Sequence, residues 1–253
     1  KLIMFFKIFK KIAGILGYKL VDKDLIKNER ELANSPFYTL EQILNNIFNK
    51  SLINTLVQIG SNDGKRFDIL NKFIKKYSPT SILVEPIKKD FDDLKKNYSN
   101  QKNISFENSA ISVNNKINTL FKVKDEKLKF YSEHVKGITS FNEKHLLKHG
   151  ISKFHIEEVE VNSLSIFDLQ KKYSINHLDL LMIDAEGYDG DIVIDFLSTN
   201  TLRPLIIFEY IHINYKIFKE VTKLLTLKKY QYFKIDENLI CFPIEFNDKN
   251  KLF

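Results

Sequence analysis

Residues 55–64 read Thr55-Leu56-Val57-Gln58-Ile59-Gly60-Ser61-Asn62-Asp63-Gly64. The first five form a short, mostly apolar run, and its length and β-branching favour a buried strand. The two glycines permit positive φ angles and a close approach of the backbone to a ligand. The segment therefore predicts a strand followed by a ligand-binding turn, as at the strand ends of open α/β sheets. The third glycine of the dinucleotide fingerprint is absent, which argues against a nicotinamide or flavin cofactor.

Strands and helices alternate on both sides of an irregular middle stretch. The pattern predicts helices at residues 38–48, 67–77, 88–98, 166–173, 192–197 and 217–227. It predicts strands at residues 55–59, 81–84, 104–106, 178–183, 205–208, 230–235 and 239–242. Alternation of this kind is typical of a parallel sheet covered by helices. We therefore expect a Rossmann-like α/β fold that ends in an antiparallel pair of strands.

The middle stretch interrupts this order before the fourth strand. It contains a predicted strand at residues 117–123, a short helix at 141–149 and another strand at 157–161. Because it lies between ordinary α/β units, we expect residues 114–163 to form an insertion that faces the substrate. We divide the chain into an N-terminal helical extension, residues 1–50, and a main domain, residues 51–253.

The composition is that of a globular protein, with 43% hydrophobic and 28% charged residues. The single cysteine, Cys241, cannot form an internal disulfide or a cysteine-based zinc site, so we expect a reducing, cytoplasmic location. The net charge of +7 comes mainly from lysine. Such a charge suits nucleic acid, an acidic substrate or a membrane surface. No nucleic-acid-binding motif is present, so a nucleic-acid partner is not expected.

Residues 2–20 are apolar but are interrupted by four lysines, Lys7, Lys10, Lys11 and Lys19. No window reaches the roughly 18 uncharged apolar residues of a membrane-spanning helix, and no signal peptide is predicted. The pattern predicts a cationic amphipathic helix. Such a helix either lies on an anionic membrane surface or packs on the domain or a partner subunit, and the sequence leaves both open.

Polar residues follow the second and third predicted strands. Glu85 ends the second strand, 85 − 64 = 21 residues after Gly64. An acidic residue at this spacing can accept hydrogen bonds from the ribose hydroxyls of an adenosine cofactor. Asn108 and Ser109 follow the third strand, where they could contact the adenine edge or simply form a polar strand exit.

Four carboxylates lie within residues 184–191, Asp184-Ala185-Glu186-Gly187-Tyr188-Asp189-Gly190-Asp191, directly after the apolar fourth strand. Their mutual repulsion would raise their pKa values unless a cation or hydrogen-bond donors lie nearby. We assign a helix-capping role to Asp189 or Asp191 and a functional role to Asp184 and Glu186. Glu209 ends the next strand and should lie beside Asp184.

Histidines form two further candidates. His212 follows Glu209, and these side chains could assemble a base or a divalent metal site; we expect a base and no metal site. His145 and His149 are four residues apart on the short helix of the insertion and so share a face. The HExxH pattern is absent. One of the two histidines could act as a base or contact the substrate, or both could simply be solvated.

In this order, the motifs resemble the FkbM family of methyltransferases over residues 55–243. The matching segments are residues 57–64, 83–86, 178–189 and 204–209, and residues 137–149 resemble an insertion in part of the family. The resemblance implies a seven-stranded class I methyltransferase fold, with S-adenosylmethionine as the methyl donor. Ser61 departs from the alanine common in the family. The predicted cofactor-binding residues are Gly60, Ser61, Asn62, Asp63, Gly64, Glu85, Asn108, Ser109, Asp184 and Glu186.

The resemblance also implies O-methylation of a sugar, a polysaccharide precursor or another small hydroxyl-bearing molecule. Methyl transfer from a sulfonium is an in-line displacement, so alignment supplies most of the catalysis and a base removes the hydroxyl proton. We rank the candidate bases as Asp184, His149 and Glu209. The alternatives are a metal-dependent sugar-nucleotide glycosyltransferase that uses residues 189–191 and a non-catalytic adaptor that binds an adenosine ligand. An RNA methyltransferase is suggested only by the charge.

Overall fold

The computed structural model describes residues 39–113 and 119–246, and the predicted helix at residues 2–20 lies outside these ranges. The α-helices are α1 Leu40–Asn49, α2 Asn71–Tyr77, α3 Lys88–Asn97, α4 Glu133–Lys136, α5 Glu143–Lys148, α6 Ile166–Lys172, α7 Asp189–Thr199 and α8 Tyr215–Leu227. The strands are β1 Thr55–Ile59, β2 Thr80–Val84, β3 Ile104–Glu107, β4 Ala110–Ile111, β5 Thr119–Val123, β6 Thr139–Ser140, β7 Ile156–Glu160, β8 Ser163–Leu164, β9 Leu180–Ile183, β10 Leu205–Glu209, β11 Tyr230–Ile235 and β12 Asn238–Pro243.

The central sheet has seven strands in the order β11-β12-β10-β9-β1-β2-β3. Strands β3, β2, β1, β9 and β10 are parallel, whereas β12 runs antiparallel to β10 and β11 antiparallel to β12. This arrangement confirms the predicted fold class. The chain builds the sheet outward from β1 to β3 and then returns to β9 on the other side of β1. The carboxyl ends of β1 and β9 therefore flank a topological switch point, where open α/β sheets bind ligands.

Helices cover both faces of the sheet. Side chains alternate between the faces along each strand. In β9, Leu181 and Ile183 share one core with α6, α7 and α8, whereas Leu180 and Met182 share the other with α1, α2 and α3. Burial on both faces explains why the central strands have continuous apolar sequences and no alternation of apolar and polar residues.

Helix α1 begins at a capping box. The backbone N–H of Gln42 donates to Oγ1 of Thr39 at 3.2 Å, and the backbone N–H of Thr39 donates to Oε1 of Gln42 at 2.8 Å. The buried face of α1, which includes Leu44 and Phe48, belongs to the same core as β1 and β2. The predicted N-terminal extension, residues 1–50, therefore includes a helix that packs on the sheet of the main domain. The division of the chain at residue 50 stays a prediction.

Helix α2 begins at Asn71, and the prediction that it starts at Phe67 was wrong. Phe67 has a φ of 57° and is 71% exposed. Oδ1 of Asp68 accepts hydrogen bonds from the backbone N–H of Leu70 at 2.9 Å and from Nε2 of Gln58 at 3.0 Å. These bonds hold residues 65–70 as a loop, because an aspartate that binds the backbone two residues on favours a turn over a helix.

The middle stretch forms its own small sheet, in which β5 pairs antiparallel with β6 and β7. Buried side chains of β5, α5 and β7 form a separate core that includes Val123, Leu146 and Ile156. Its role in facing the substrate stays a prediction. Among the described residues, no helix is both long and apolar enough to cross a membrane.

Candidate active site

A cleft of about 410 Å³ opens at the carboxyl ends of β1, β2, β9 and β10. It lies at the switch point of the sheet, the position at which the fold favours ligand binding. Most of the predicted site residues line it: Gly60, Ser61, Asn62, Glu85, Ser109, His149, Asp184, Glu186 and Glu209. Asp63, Gly64 and Asn108 are not among the lining residues.

The turn after β1 forms the floor of the cleft. The backbone N–H groups of Gly60 and Ser61 both donate to the carbonyl oxygen of Val84 at 3.0 Å. Gly60 has a φ of 80°, and a Cβ at this position would lie 1.8 Å from the carbonyl oxygen of Asp184. Only glycine can occupy this position without moving the backbone of the neighbouring strand end.

Asp63 and Gly64 stabilise the conformation of this turn without lining the cleft. The Asp63 carboxylate accepts hydrogen bonds from the backbone N–H groups of Lys65 and Arg66 and from Nε of Arg66 at 2.6 Å. Burial alone would raise the pKa of Asp63, but these bonds hold it below its usual range. A Cβ at Gly64 would lie 2.5 Å from Cδ1 of Leu94. Both residues therefore hold the turn in shape, and their contact with the cofactor stays a prediction.

Glu85 is a buried carboxylate in the wall of the cleft, with 6% of its surface exposed. Oε2 accepts the backbone N–H of Asn62 and Oε1 accepts that of Ile87, both at 2.9 Å. Burial raises the pKa of Glu85 to about 8, and the negative charges of Asp90 and Asp184 add to the effect. Each oxygen of a carboxylate has two lone pairs, so Glu85 can accept further hydrogen bonds from a ligand.

Asn108 and Ser109 differ in position, although they are adjacent in sequence. Nδ2 of Asn108 donates to the carbonyl oxygens of Glu85 and Pro86 at 2.8 and 3.0 Å, so its amide holds the turn after β2. Ser109 lines the cleft, but its hydroxyl donates to Oε1 of Glu107 at 2.7 Å. Ser109 therefore lies in the cleft, whereas Nδ2 of Asn108 is bound to the turn after β2; the adenine contact stays a prediction for both residues.

Asp184 and Glu209 follow adjacent parallel strands, since Ile183 pairs with Phe208. Asp184 is exposed and lines the cleft. Because the cleft walls exclude much of the bulk water, and because Glu186 is negatively charged, the pKa of Asp184 rises to about 7. Burial, and then the negative charges of Asp184, Asp189 and Glu186, raise the pKa of Glu209 to about 9. The predicted proximity of the two carboxylates is thus confirmed by the strand register.

Asp189 holds the loop after β9. It is fully buried, and its carboxylate accepts the backbone N–H groups of Ala185 at 3.3 Å and Gly187 at 3.1 Å. Tyr188 occupies the N-cap of α7 without a side-chain cap, so the predicted capping by Asp189 or Asp191 was wrong. Because Asp189 is buried and committed to this loop, residues 189–191 do not form the exposed metal clamp that a glycosyltransferase would need.

Three histidines gather at one side of the cleft. The imidazole rings of His145, His149 and His212 have centroid separations of 4.5 to 5.1 Å. Nε2 of His145 lies 3.0 Å from Oε2 of Glu186. Among the described residues, two groups could hold a metal ion: the three histidines, and Glu186 with Glu209 and His212. In each group the ligand atoms lie within 4.8 Å of one another.

Sequence reasoning did not identify Asp68 as a residue of the cleft. Nε2 of Gln58 and the hydroxyl of Tyr98 donate to its carboxylate at 3.0 and 3.2 Å. The sequence feature that could have pointed to Asp68 is Gln58, its hydrogen-bond partner, which is a polar residue within the apolar sequence of β1. Gln58 is buried and lines the cleft, and its Oε1 has no hydrogen-bond partner among the described residues.

The sheet order and the cleft at its switch point define a class I methyltransferase fold, whose members use S-adenosylmethionine. A family model described as the methyltransferase FkbM domain matches residues 58–233, so the chain belongs to the FkbM family of S-adenosylmethionine-dependent methyltransferases.

Solved structures are similar at the level of the fold. An FkbM methyltransferase from Methylobacillus flagellatus KT is 12% identical, with a TM-score of 0.44, and the match covers 76% of this chain and 44% of that one. A methyltransferase from Geobacter sulfurreducens is 8% identical, with a TM-score of 0.43 and coverage of 92% and 95%. A ribosomal protein L11 methylase from Lactobacillus delbrueckii subsp. bulgaricus is 10% identical, with a TM-score of 0.39 and coverage of 79% and 76%. No curated protein matches the chain.

Proposed function

We propose that the protein transfers the methyl group of S-adenosylmethionine to a hydroxyl of a small molecule, such as a sugar or a polysaccharide precursor. The observation that carries the cofactor assignment is the buried carboxylate of Glu85 in the cleft wall. Its two oxygens accept one backbone N–H each and have lone pairs left for the two ribose hydroxyls.

The remaining polar groups of the cleft suit the charged end of the same cofactor. Oε1 of Gln58, which is buried without a partner among the described residues, offers an acceptor for an ammonium group. Asp184 lines the cleft and, with a pKa of about 7, is partly charged at neutral pH, so it can supply negative charge opposite a sulfonium. Gly60 lets the turn on the floor of the cleft lie directly against the strand end at Asp184. The residues of the cleft therefore fit the cofactor that the family and fold imply.

Asp184 is the base that we assign to the reaction. A general base works best when its pKa lies near the working pH, and the pKa of Asp184 is about 7. The carboxylate would take the proton of the acceptor hydroxyl while the oxygen forms a bond to the methyl carbon. The carbon–sulfur bond breaks in the same step, and S-adenosylhomocysteine leaves as a neutral thioether.

Calorimetric titration with S-adenosylhomocysteine tests the proposal, with Glu85→Gln as the variant. At pH 9, where the Glu85 carboxylate is mostly charged, loss of a hydrogen bond to it costs about 1.5–3 kcal/mol, so we expect affinity to fall roughly 10- to 100-fold. Glu107→Gln is the matched control, because Glu107 is also buried at a strand end but does not line the cleft. Equal affinity in Glu85→Gln and wild type would refute the ribose contact.

Absence of binding by a folded wild-type protein would refute the methyltransferase proposal as a whole. If the wild-type protein does bind, turnover is measured with a panel of hydroxylated sugars, by release of S-adenosylhomocysteine from S-adenosylmethionine. Cofactor binding with no turnover on any member of the panel would favour the non-catalytic adaptor.

A further inference from the structure

The three histidines at the cleft come from two separate parts of the chain. His145 lies on α5, and His149 occupies the C-cap of this helix, four residues later, so both side chains lie on one face. His212 lies in the loop between β10 and α8. One ring nitrogen of each histidine lies within 4.8 Å of those of the others. The insertion and the main sheet thus jointly assemble a compact set of nitrogen ligands.

We propose that His145, His149 and His212 bind a divalent transition-metal ion at the acceptor side of the cleft. Three neutral imidazoles are suitable ligands for Zn²⁺ and for neighbouring ions such as Co²⁺ and Ni²⁺. Three protein ligands with a fourth position open to water or substrate are characteristic of catalytic zinc sites, whereas structural sites have four.

The carboxylates around the histidines provide what such an ion needs. Oε2 of Glu186 lies 3.0 Å from Nε2 of His145, as in the carboxylate–histidine–metal arrangement that fixes the orientation of a ligand ring. Oε1 of Glu209 lies 3.7 Å from Nε2 of His212. Carboxylates beside the ligand set can offset the charge of a divalent ion.

The position of the site suggests what the ion does. His149 and His212 line the same cleft as Asp184. An acceptor hydroxyl bound at the open position would become more acidic, as metal-bound water does. Its proton would pass to Asp184, and its oxygen would form the bond to the methyl carbon as the carbon–sulfur bond breaks. This catalytic role rests on the proposed methyl transfer, whereas binding of the ion does not.

Metal-stripped protein titrated with Zn²⁺ in a calorimeter tests the site directly. We expect one ion per chain in the wild type and at least a 100-fold loss of affinity in His149→Ala and in His212→Ala. Loss of an orienting carboxylate weakens metal binding about 10- to 100-fold, so Glu186→Gln should fall in that range. His177→Ala is the matched control, because His177 is exposed and distant from the cleft in the sheet, at the opposite ends of the strands.

A second probe is Co²⁺, whose visible absorption band reports coordination by nitrogen ligands. We expect the band in the wild type and in His177→Ala, and its loss in His212→Ala. Absence of Zn²⁺ binding, or equal binding by the wild type and His212→Ala, would overturn the inference. S-adenosylhomocysteine is titrated into the same samples: intact binding without metal binding refutes the metal site alone, and loss of both refutes the proposed function as well.

Discussion

The backbone carbonyl oxygen of Asp184 lies so close to Gly60 that a Cβ on this glycine would be 1.8 Å from it. The two residues follow the adjacent parallel strands β1 and β9. The backbone N–H of Asp184 also donates to the carbonyl oxygen of Ile59 at 2.9 Å. The turn assigned to the cofactor and the residue assigned as the base are therefore held together by the backbone itself, and a change in one should displace the other.

Gly60→Ala is predicted to destabilise the protein and to abolish binding of S-adenosylhomocysteine. The substitution combines about 1 kcal/mol of left-handed backbone strain with about 1–3 kcal/mol from overpacking against the Asp184 carbonyl. We expect the free energy of unfolding to fall by about 2–4 kcal/mol in urea titrations. Binding is measured by calorimetry on the folded fraction.

Gly150→Ala is the control that measures the cost of backbone strain at a positive φ without a steric clash. Gly150 has a φ of 76°, close to that of Gly60, but a Cβ there would meet no atom within 4 Å. We expect this control to lose only about 1 kcal/mol and to bind S-adenosylhomocysteine like the wild type. Equal losses of stability in the two variants would show that the contact with Asp184 does not limit position 60.

Glu85 should make the ligand-free protein less stable as the pH rises. Its pKa is about 8 in the folded state against 4.5 for an ordinary glutamate. Between these values the folded protein retains a proton that the unfolded chain has released, so the free energy of unfolding falls with rising pH. A tenfold change in a proton-binding constant corresponds to about 1.4 kcal/mol. We expect wild type to lose at least about 1 kcal/mol relative to Glu85→Gln between pH 5 and pH 8.

The difference in stability between wild type and Glu107→Gln should stay constant from pH 5 to pH 8. Burial alone would raise the pKa of Glu107, but Lys172, Ser109 and Tyr173 hold it below its usual range. The stability that a carboxylate of this kind contributes is complete above about pH 4.5 and is lost only as the pH falls further. Parallel curves for wild type and Glu85→Gln from pH 5 to pH 8 would contradict the assignment of a raised pKa to Glu85.

The sequence predicted the fold well because its strongest signals are local. Continuous apolar runs such as residues 180–183 can be buried on both faces only in a parallel sheet with helices on each side. The start of α2 was missed for an equally local reason: the hydrogen bond from Gln58 to Asp68 joins a strand to a loop, and the hydrophobic period does not encode it.

The site was predicted in part. Residues at strand ends, such as Glu85, Asp184 and Glu209, meet in the cleft because parallel strands end at one edge of the sheet. Asn108 and Asp63 do not line the cleft, because their polar side chains bind the backbone of neighbouring turns, and polarity alone does not tell which way a side chain points. Their contact with the cofactor stays a prediction. The grouping of His212 with the histidines of α5 depends on how the insertion packs, which no local pattern contains.

Gly190→Ala should lower stability without affecting the cleft. A Cβ at Gly190 would lie 2.6 Å from Cγ2 of Ile217 and 3.0 Å from Cγ2 of Ile213, where α7 packs near α8. Overpacking of this kind costs about 1–3 kcal/mol. We expect the urea midpoint to fall while the affinity for S-adenosylhomocysteine stays within about twofold. A large loss of affinity would instead show that the packing of α7 controls the loop at residues 184–187.

Asp184→Asn should change the preference of the protein between two forms of its cofactor. S-adenosylmethionine carries a sulfonium charge that S-adenosylhomocysteine lacks, and the two are otherwise alike apart from one methyl group. If Asp184 faces the sulfonium, its carboxylate favours the charged form. Replacement by asparagine should therefore weaken S-adenosylmethionine about 10-fold more than S-adenosylhomocysteine, a difference of about 1.4 kcal/mol.

The ratio of the two affinities, for S-adenosylmethionine and for S-adenosylhomocysteine, should depend on pH, and this dependence gives an independent check. Because the pKa of Asp184 is about 7, its carboxylate is mostly protonated at pH 6 and mostly charged at pH 8. The preference of the wild type for S-adenosylmethionine should rise across this interval relative to that of Asp184→Asn at the same pH. The sulfonium also lowers the pKa of the ligand's own amino group, but both proteins bind the same two ligands, so this contribution cancels when the two proteins are compared. Equal pH dependence in the wild type and Asp184→Asn would place the sulfonium away from Asp184 and leave this residue only the role of base.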